Sequence, residues 1–141
     1  DLQVLVSEDT SKEENEVVRF IGLKTMAETG GIPVAELSLE FNGQPRSSSA
    51  NGDGLVDAAF QAVEEIVPGT RNVILYSVNA ITEGSDSQGE VSVRLQEEGR
   101  IVNGQGADTD IVVASVKAYI NGLNKLQAAP HRFNPQSGET V

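Results

Sequence analysis

Two short stretches of the chain combine glycines, small polar residues and carboxylates just before an apolar-periodic run: Asn51-Gly52-Asp53-Gly54 and Gly104-Gln105-Gly106-Ala107-Asp108-Thr109-Asp110. Glycine lets a backbone turn with positive φ and lets a ligand come close. A helix starting behind it offers unpaired N–H groups to an anion. The chemistry on offer is the docking of a small carboxylate. An ordinary strand-to-helix turn closed by a cap fits the same letters, so the residues alone leave both open. A phosphate loop does not fit, because the Gly-Lys-Ser/Thr ending is missing. A calcium loop fits poorly, since neither Asp53 with Asp57 nor Asp108 with Asp110 has the spacing of a roughly twelve-residue loop and its final Glu.

No catalytic constellation accompanies these stretches. The single histidine, His131, lies in a Pro-rich stretch and reads as an exposed bystander. Without a second His or any Cys, a nucleophilic triad, a Cys–His dyad and a zinc site are all excluded. Glu64-Glu65 and Glu97-Glu98 are sequence neighbours, so in a helix or strand their side chains diverge, and they read as solvated surface.

The 141 residues amount to about one domain, and 21 acidic against 10 basic side chains leave a net charge of −11. Phosphate backbones and anionic membranes would repel such a chain, and no Lys/Arg cluster offsets this locally. Neither nucleic acid nor membrane is expected as a partner. Apolar residues make up 38% and aromatics 4%, so the core must be aliphatic. The absence of cysteine fits a reducing cytosol. No apolar run approaches the roughly 18 residues of a membrane span. The opening Asp1-Leu2-Gln3 reads as a cut from a longer protein.

The elements that must hold the two stretches come as a duplication. A shift of 56 residues lays Ala58-Ala59-Phe60-Gln61-Ala62-Val63 over Ala114-Ser115-Val116-Lys117-Ala118-Tyr119, and carries Leu37, Leu39 and Gly43 onto Val93, Leu95 and Gly99. Ala35, Leu37, Leu39 and Phe41 alternate with polar residues, as do Val91, Val93 and Leu95, which is the period of a half-covered strand. Asn42-Gly43 and Glu97-Glu98-Gly99 turn each strand back into a hairpin. Val17 to Leu23 and Val73 to Val78 supply a further strand before each hairpin. Leu55, Ala59, Phe60, Val63, Ile66 and Val67 form a helical stripe stopped by Pro68-Gly69, and Val112, Val116, Tyr119, Ile120, Leu123 and Leu126 form the second, with Asp108, Thr109 and Asp110 as candidate caps.

The expected fold is therefore α+β: two βββα units about a pseudo-twofold axis, sharing a core and leaving apolar sheet surface that invites a second copy. Residues 1–16, with six carboxylates against Lys12, read as a solvated linker from an upstream subdomain. Residues 17–127 form the domain, and 128–141 a loose tail.

Four ordered motifs carry a resemblance: Gly52-Asp53-Gly54-Leu55-Val56-Asp57-Ala58-Ala59, Leu75-Tyr76-Ser77-Val78-Asn79-Ala80-Ile81-Thr82, Gly89-Glu90-Val91-Ser92-Val93-Arg94-Leu95, and the run from Gly104 to Ser115. From about Val17 to Leu126 the chain resembles the C-terminal regulatory domain of the 2-isopropylmalate synthase family. That family usually carries Pro where this chain has Leu55, a change that removes a rigid first-turn residue. The resemblance implies an acyltransferase that joins acetyl-CoA to 2-oxoisovalerate on an N-terminal barrel with a divalent metal. It also implies a regulatory module that binds leucine at a homodimer interface. On that reading the chain alone is non-catalytic, holds no cofactor, partners its own upstream barrel, and belongs to a cytoplasmic enzyme. Citramalate synthase, answering to isoleucine, is the close relative. A purely structural dimerisation module is the alternative of a different class.

Carried over position by position, the resemblance puts effector contacts at Gly52, Gly54, Val56, Asp57, Val73, Tyr76, Ala80, Ser87, Asp108, Asp110 and Ile111. Glycine and helix N-terminal amides suit a carboxylate, Asp57 or Asp110 suits an ammonium, and Val73, Tyr76 and Ala80 offer an apolar wall.

Overall fold

The computed structural model describes residues 17–80 and 88–137, so the linker 1–16, Ser87 and the last residues, 138–141, lie outside what it describes. The chain runs β1 (Val18–Met26), β2 (Val34–Phe41), β3 (Gln44–Asn51), α1 (Leu55–Ile66), β4 (Asn72–Ala80), β5 (Gly89–Glu97), β6 (Arg100–Asp108) and α2 (Ile111–Ser137). Two antiparallel sheets, β1-β2-β3 and β4-β5-β6, reproduce the expected α+β duplication.

Alternation builds the sheets as the sequence indicates. Ala35, Leu37 and Leu39 of β2 and Val91, Val93 and Leu95 of β5 are buried, and so is most of the stripe of each helix, with Leu55, Phe60 and Val112 half-buried. Both hairpins close through two residues with positive φ, Asn42-Gly43 and Glu98-Gly99, the twist that suits a two-residue turn between right-twisted strands. α1 lies on β2 and β3, while α2 lies on β5 and β6 and also meets β1 and α1.

The 56-residue shift holds for the hairpins and helices but not for the first strand of each copy. β1 is bulged between Phe20 and Gly22 opposite Leu39 and Ser38, and β4 between Val73 and Leu75 opposite Leu95 and Arg94. The bulges therefore match at a shift of 53, and the three-residue difference is taken up between the first and second strands of the second copy. α2 also runs on to Ser137, through stretch 128–137 that the sequence suggests is tail. The apolar stripe stops at Leu126, and periodicity marks only the packed part of a helix.

The halves are joined by crossed contacts. Arg71, just ahead of β4 and only 7% exposed, donates to the carbonyl oxygens of Val67 and Pro68 at the end of α1, to the Tyr119 hydroxyl of α2 at 3.3 Å, and pairs with Glu97 of β5 at 3.9 Å. A cation there also opposes the negative end of the α1 dipole. Tyr119 in turn donates to Glu64 at 2.6 Å, and burial pushes its phenol well above the ordinary value. Among the described residues no helix is long and apolar enough to cross a membrane.

Candidate functional site

The two glycine-rich stretches end in different structures. Before α1, Gly54 is the N-cap, with φ −151° and ψ 176°, and no side chain caps the helix. Its carbonyl accepts from Ala58 N–H at 2.9 Å, while the amides of Leu55, Val56 and Asp57 are the orphans that any helix start leaves. Neither Gly52 nor Gly54 has a positive φ, contrary to the sequence expectation. Gly52 is needed for space instead: a Cβ there would fall 2.6 Å from the Asp57 carboxylate and collide with the Ala58 backbone. Gly54 faces open space. Asp57 turns back to accept the Asp53 N–H at 2.9 Å, which leaves its other oxygen to outside donors.

Before α2, the expected loop is mostly strand. Gly104 and Gly106 lie in β6 beneath the helix, where a Cβ would fall 2.6 Å from Gly122 N and from Ala114 O respectively. They serve close packing of α2, and the candidate contacts shrink to Asp108, Asp110 and Ile111. Asp110 caps its own helix, accepting from Val112 N–H at 2.8 Å and Val113 N–H at 3.4 Å. Asp108 accepts the Asp110 N–H at 2.9 Å and pairs with Lys117 at 3.0 Å. That backbone bond first, and Lys117 second, hold its carboxyl below the usual carboxylate range.

Between the helix starts runs β4. Residues opposite each other in a ladder share a face, and Val73, Tyr76, Val78 and Ala80 pair with Leu95, Val93, Val91 and Gly89. All four positions therefore lie on the helix side of the sheet. α1 covers β2 and β3 and α2 covers β5 and β6, so this side of β4 is left uncovered: Val73, Tyr76 and Val78 are 37%, 38% and 44% exposed. Tyr76 anchors the strip. Its hydroxyl lies 2.7 Å from that of Ser115, and Ser115 donates its own hydrogen to Ile111 O at 2.8 Å, so Tyr76 is the donor. Its ring stands edge-on to Phe60 at 6.2 Å.

The structure thus groups Tyr76, Ala80, Asp108, Asp110 and Ile111 at one end of the second unit: Ala80 pairs with Gly89, Gly89 with Asp108, and a Cβ on Gly89 would run into the Ile111 side chain. Gly52, Gly54, Val56 and Asp57 approach through α1, where Phe60, one turn beyond Val56, touches Tyr76. Among the described residues no hydrogen bond or ion pair joins the two groups. Val73 stands apart, since the seven residue steps from it to Ala80 span about 23 Å of strand, longer than one amino acid. Ser87 lies outside the described residues. Sequence reasoning missed Ser115 and Phe60. The signal for Ser115 was a hydroxyl within an apolar helical stripe.

Comparison with known proteins identifies the family. The family described as the LeuA allosteric (dimerisation) domain matches residues 1–127. The chain is 52% identical over 136 residues to a 2-isopropylmalate synthase of Aromatoleum aromaticum, covering 96% of this chain and 27% of that protein. It is 48% identical over 139 residues to that of Methylococcus capsulatus, covering 99% and 27%, and 53% over 126 residues to that of Chromobacterium violaceum, covering 89% and 25%. The chain spans about a quarter of the length of these relatives. It belongs to the LeuA allosteric (dimerisation) domain family and matches the C-terminal domain of 2-isopropylmalate synthases.

Proposed function

We propose that this chain is the domain through which a cytoplasmic 2-isopropylmalate synthase is inhibited by its end product leucine, and that it works as a homodimer. The enzyme's condensation of acetyl-CoA with 2-oxoisovalerate, and the divalent metal it uses, belong to the catalytic barrel outside this chain. The observation that carries the reading is the open apolar strip of β4, which α1 reaches through the edge-on contact of Phe60 with Tyr76, together with the uncapped start of α1. The effector's carboxylate takes the orphan amides of Leu55, Val56 and Asp57, its ammonium takes the free oxygen of Asp57, and its aliphatic chain lies on Tyr76 towards Ala80 and Ile111. Val73, too distant for the same ligand in one chain, contributes to the surface that a second copy covers.

Calorimetric titration of the chain with leucine and then isoleucine tests this. Leucine is expected to bind more tightly, by roughly 10- to 200-fold for a shifted methyl branch. Tighter isoleucine binding transfers the domain to a citramalate synthase, and no binding of either leaves a structural dimerisation module.

A further inference from the structure

The start of β1 is bound to the far half of the molecule by one side chain. Asn124 of α2 accepts the N–H groups of Val17 and Val18 on a single oxygen, at 2.8 and 2.9 Å, and its amide nitrogen donates to the Val18 carbonyl at 2.8 Å. Residue 124 is 106 positions from Val18. On its other side this segment is held by its own unit, with Asn42 N–H donating to the Val17 carbonyl at 2.9 Å. Val18 and Asn124 also line a groove of about 390 Å³ together with Arg19, Phe20, Lys117 and Asn121 among others. Among the described residues the hydrogen bonds between β1 and α2 are all made by Asn124, and beside them the Lys117 ammonium lies 5.9 Å from the centre of the Phe20 ring.

α2 is also the helix that begins at Ile111, in the candidate site. Ile111 and Asn124 lie on one continuous helix, about 20 Å apart at 1.5 Å per residue. Gly104, Gly106 and Gly122 let this helix pack closely on β6, so a change at its head is passed along a close-packed element. Residues 1–16 lead directly into Val17, so whatever precedes them in a longer enzyme is attached at the point that Asn124 grips.

We infer that Asn124 is the positioning residue that couples effector occupancy at the head of α2 to the chain upstream of Val17. This rests on the leucine-binding reading above. Effector bound against Ile111 and Tyr76 favours one placement of α2, and the three hydrogen bonds of Asn124 hand that placement to β1. A ligand shifts such an equilibrium only as far as it distinguishes the two placements, so removing the grip should weaken the coupling without weakening the binding.

The test uses the full-length enzyme carrying Asn124→Ala, with Asn124→Asp as the variant that keeps the acceptor and loses the donor. Leucine affinity by calorimetry is expected to stay within about twofold, and turnover without leucine to stay normal. The leucine concentration for half inhibition should rise about tenfold or more, with Asn124→Asp intermediate. Inhibition unchanged in Asn124→Ala overturns the inference, and so does an equal loss of binding and inhibition, which marks a merely structural contact. An unmodified enzyme that fails to bind leucine removes the underlying reading first, and this inference with it. A second measurement needs no variant: leucine should change amide hydrogen exchange at Val17 and Val18 about fivefold or more, and unchanged exchange there overturns the coupling.

Discussion

Gly54 and Asp110 stand at the same place in the two copies of one motif, and only Asp110 fills the helix start behind it. The second copy caps its helix with its own carboxylate, and the first has no side-chain cap. Duplication made two equivalent helix starts, and the residue at the cap position distinguishes them.

Gly54→Asp should therefore close the first helix start in the way the second is closed. A new cap is expected to stabilise the domain by about 0.3 kcal/mol, since Gly is itself a fair N-cap residue and Gly54 has extended backbone angles and open space around its Cβ position. The same carboxylate should compete with the effector's, weakening leucine binding at least about tenfold. Thermal unfolding and calorimetry read the two effects separately. A variant that is stabilised yet binds leucine normally would show that the effector's carboxylate lies elsewhere.

The glycines beneath α2 should behave in the opposite way. Gly106→Ala places a methyl group 2.6 Å from the Ala114 carbonyl and 2.7 Å from Lys117 Cβ, contacts that backbone cannot relieve cheaply. A cost of about 1–3 kcal/mol or more is expected in denaturant unfolding. Gly54→Ala, with nothing near its Cβ, should stay within about 1 kcal/mol of the parent. Equal costs at the two positions would contradict the close packing of helix on strand.

What the sequence makes legible follows from this contrast. Ala35, Leu37 and Leu39 announce their strand because one face is covered and the other wet, and the helical stripes announce themselves for the same reason. Gly104 and Gly106 mislead, because glycine under a tightly packed helix and glycine in a ligand loop look alike as letters. The bulges at Ile21 and Ile74 carry no sequence mark either, so a gapless shift of 56 misaligns the first strands. The sequence marks Val73 to Val78 as a strand with Val73 and Tyr76 as an apolar wall, but which face stays open depends on where the helices lie, and among the described residues α1 and α2 leave Val73, Tyr76 and Val78 partly exposed.

Glu98 offers a gain in stability. It sits at φ 53° in the hairpin turn whose counterpart in the first copy is Asn42, at φ 56°. Asn tolerates the left-handed region better than Glu does, so Glu98→Asn should raise stability by up to about 1 kcal/mol while leaving the fold unchanged. The check is a shift of the denaturation midpoint without a change in slope.

Asp108 gives the domain a defined acid response. Its carboxyl is held below the usual carboxylate range, first by the Asp110 N–H and then by Lys117, so it contributes stability above the unfolded value and loses it as pH falls through the lower folded one. Asp108→Asn should therefore be less stable than the parent at pH 7, by under about 1 kcal/mol for so exposed a group, with the two converging below the folded value. Denaturant titrations at neutral and acid pH decide it. A difference that persists in acid would mean that shape, not charge, holds the contact.

The assembly prediction sets two forces against each other. Val73, Tyr76 and Val78 expose apolar surface on one side of β4, and burying it against a second copy favours a dimer. A net charge of −11 on each chain opposes that association through repulsion that salt screens within about 10 Å at 0.1 M. Raising ionic strength should therefore tighten the dimer, the reverse of an interface held by surface ion pairs. Val78→Lys should loosen it by placing an ammonium in the strip. The added cation also lowers the net negative charge, so a loosened dimer would come from the strip itself, through lost apolar contact and the cost of burying an ammonium, and not from overall repulsion. Light scattering and sedimentation across a salt series read both effects, and a Val78→Lys chain that dimerises as well as the parent would move the interface off this face of β4.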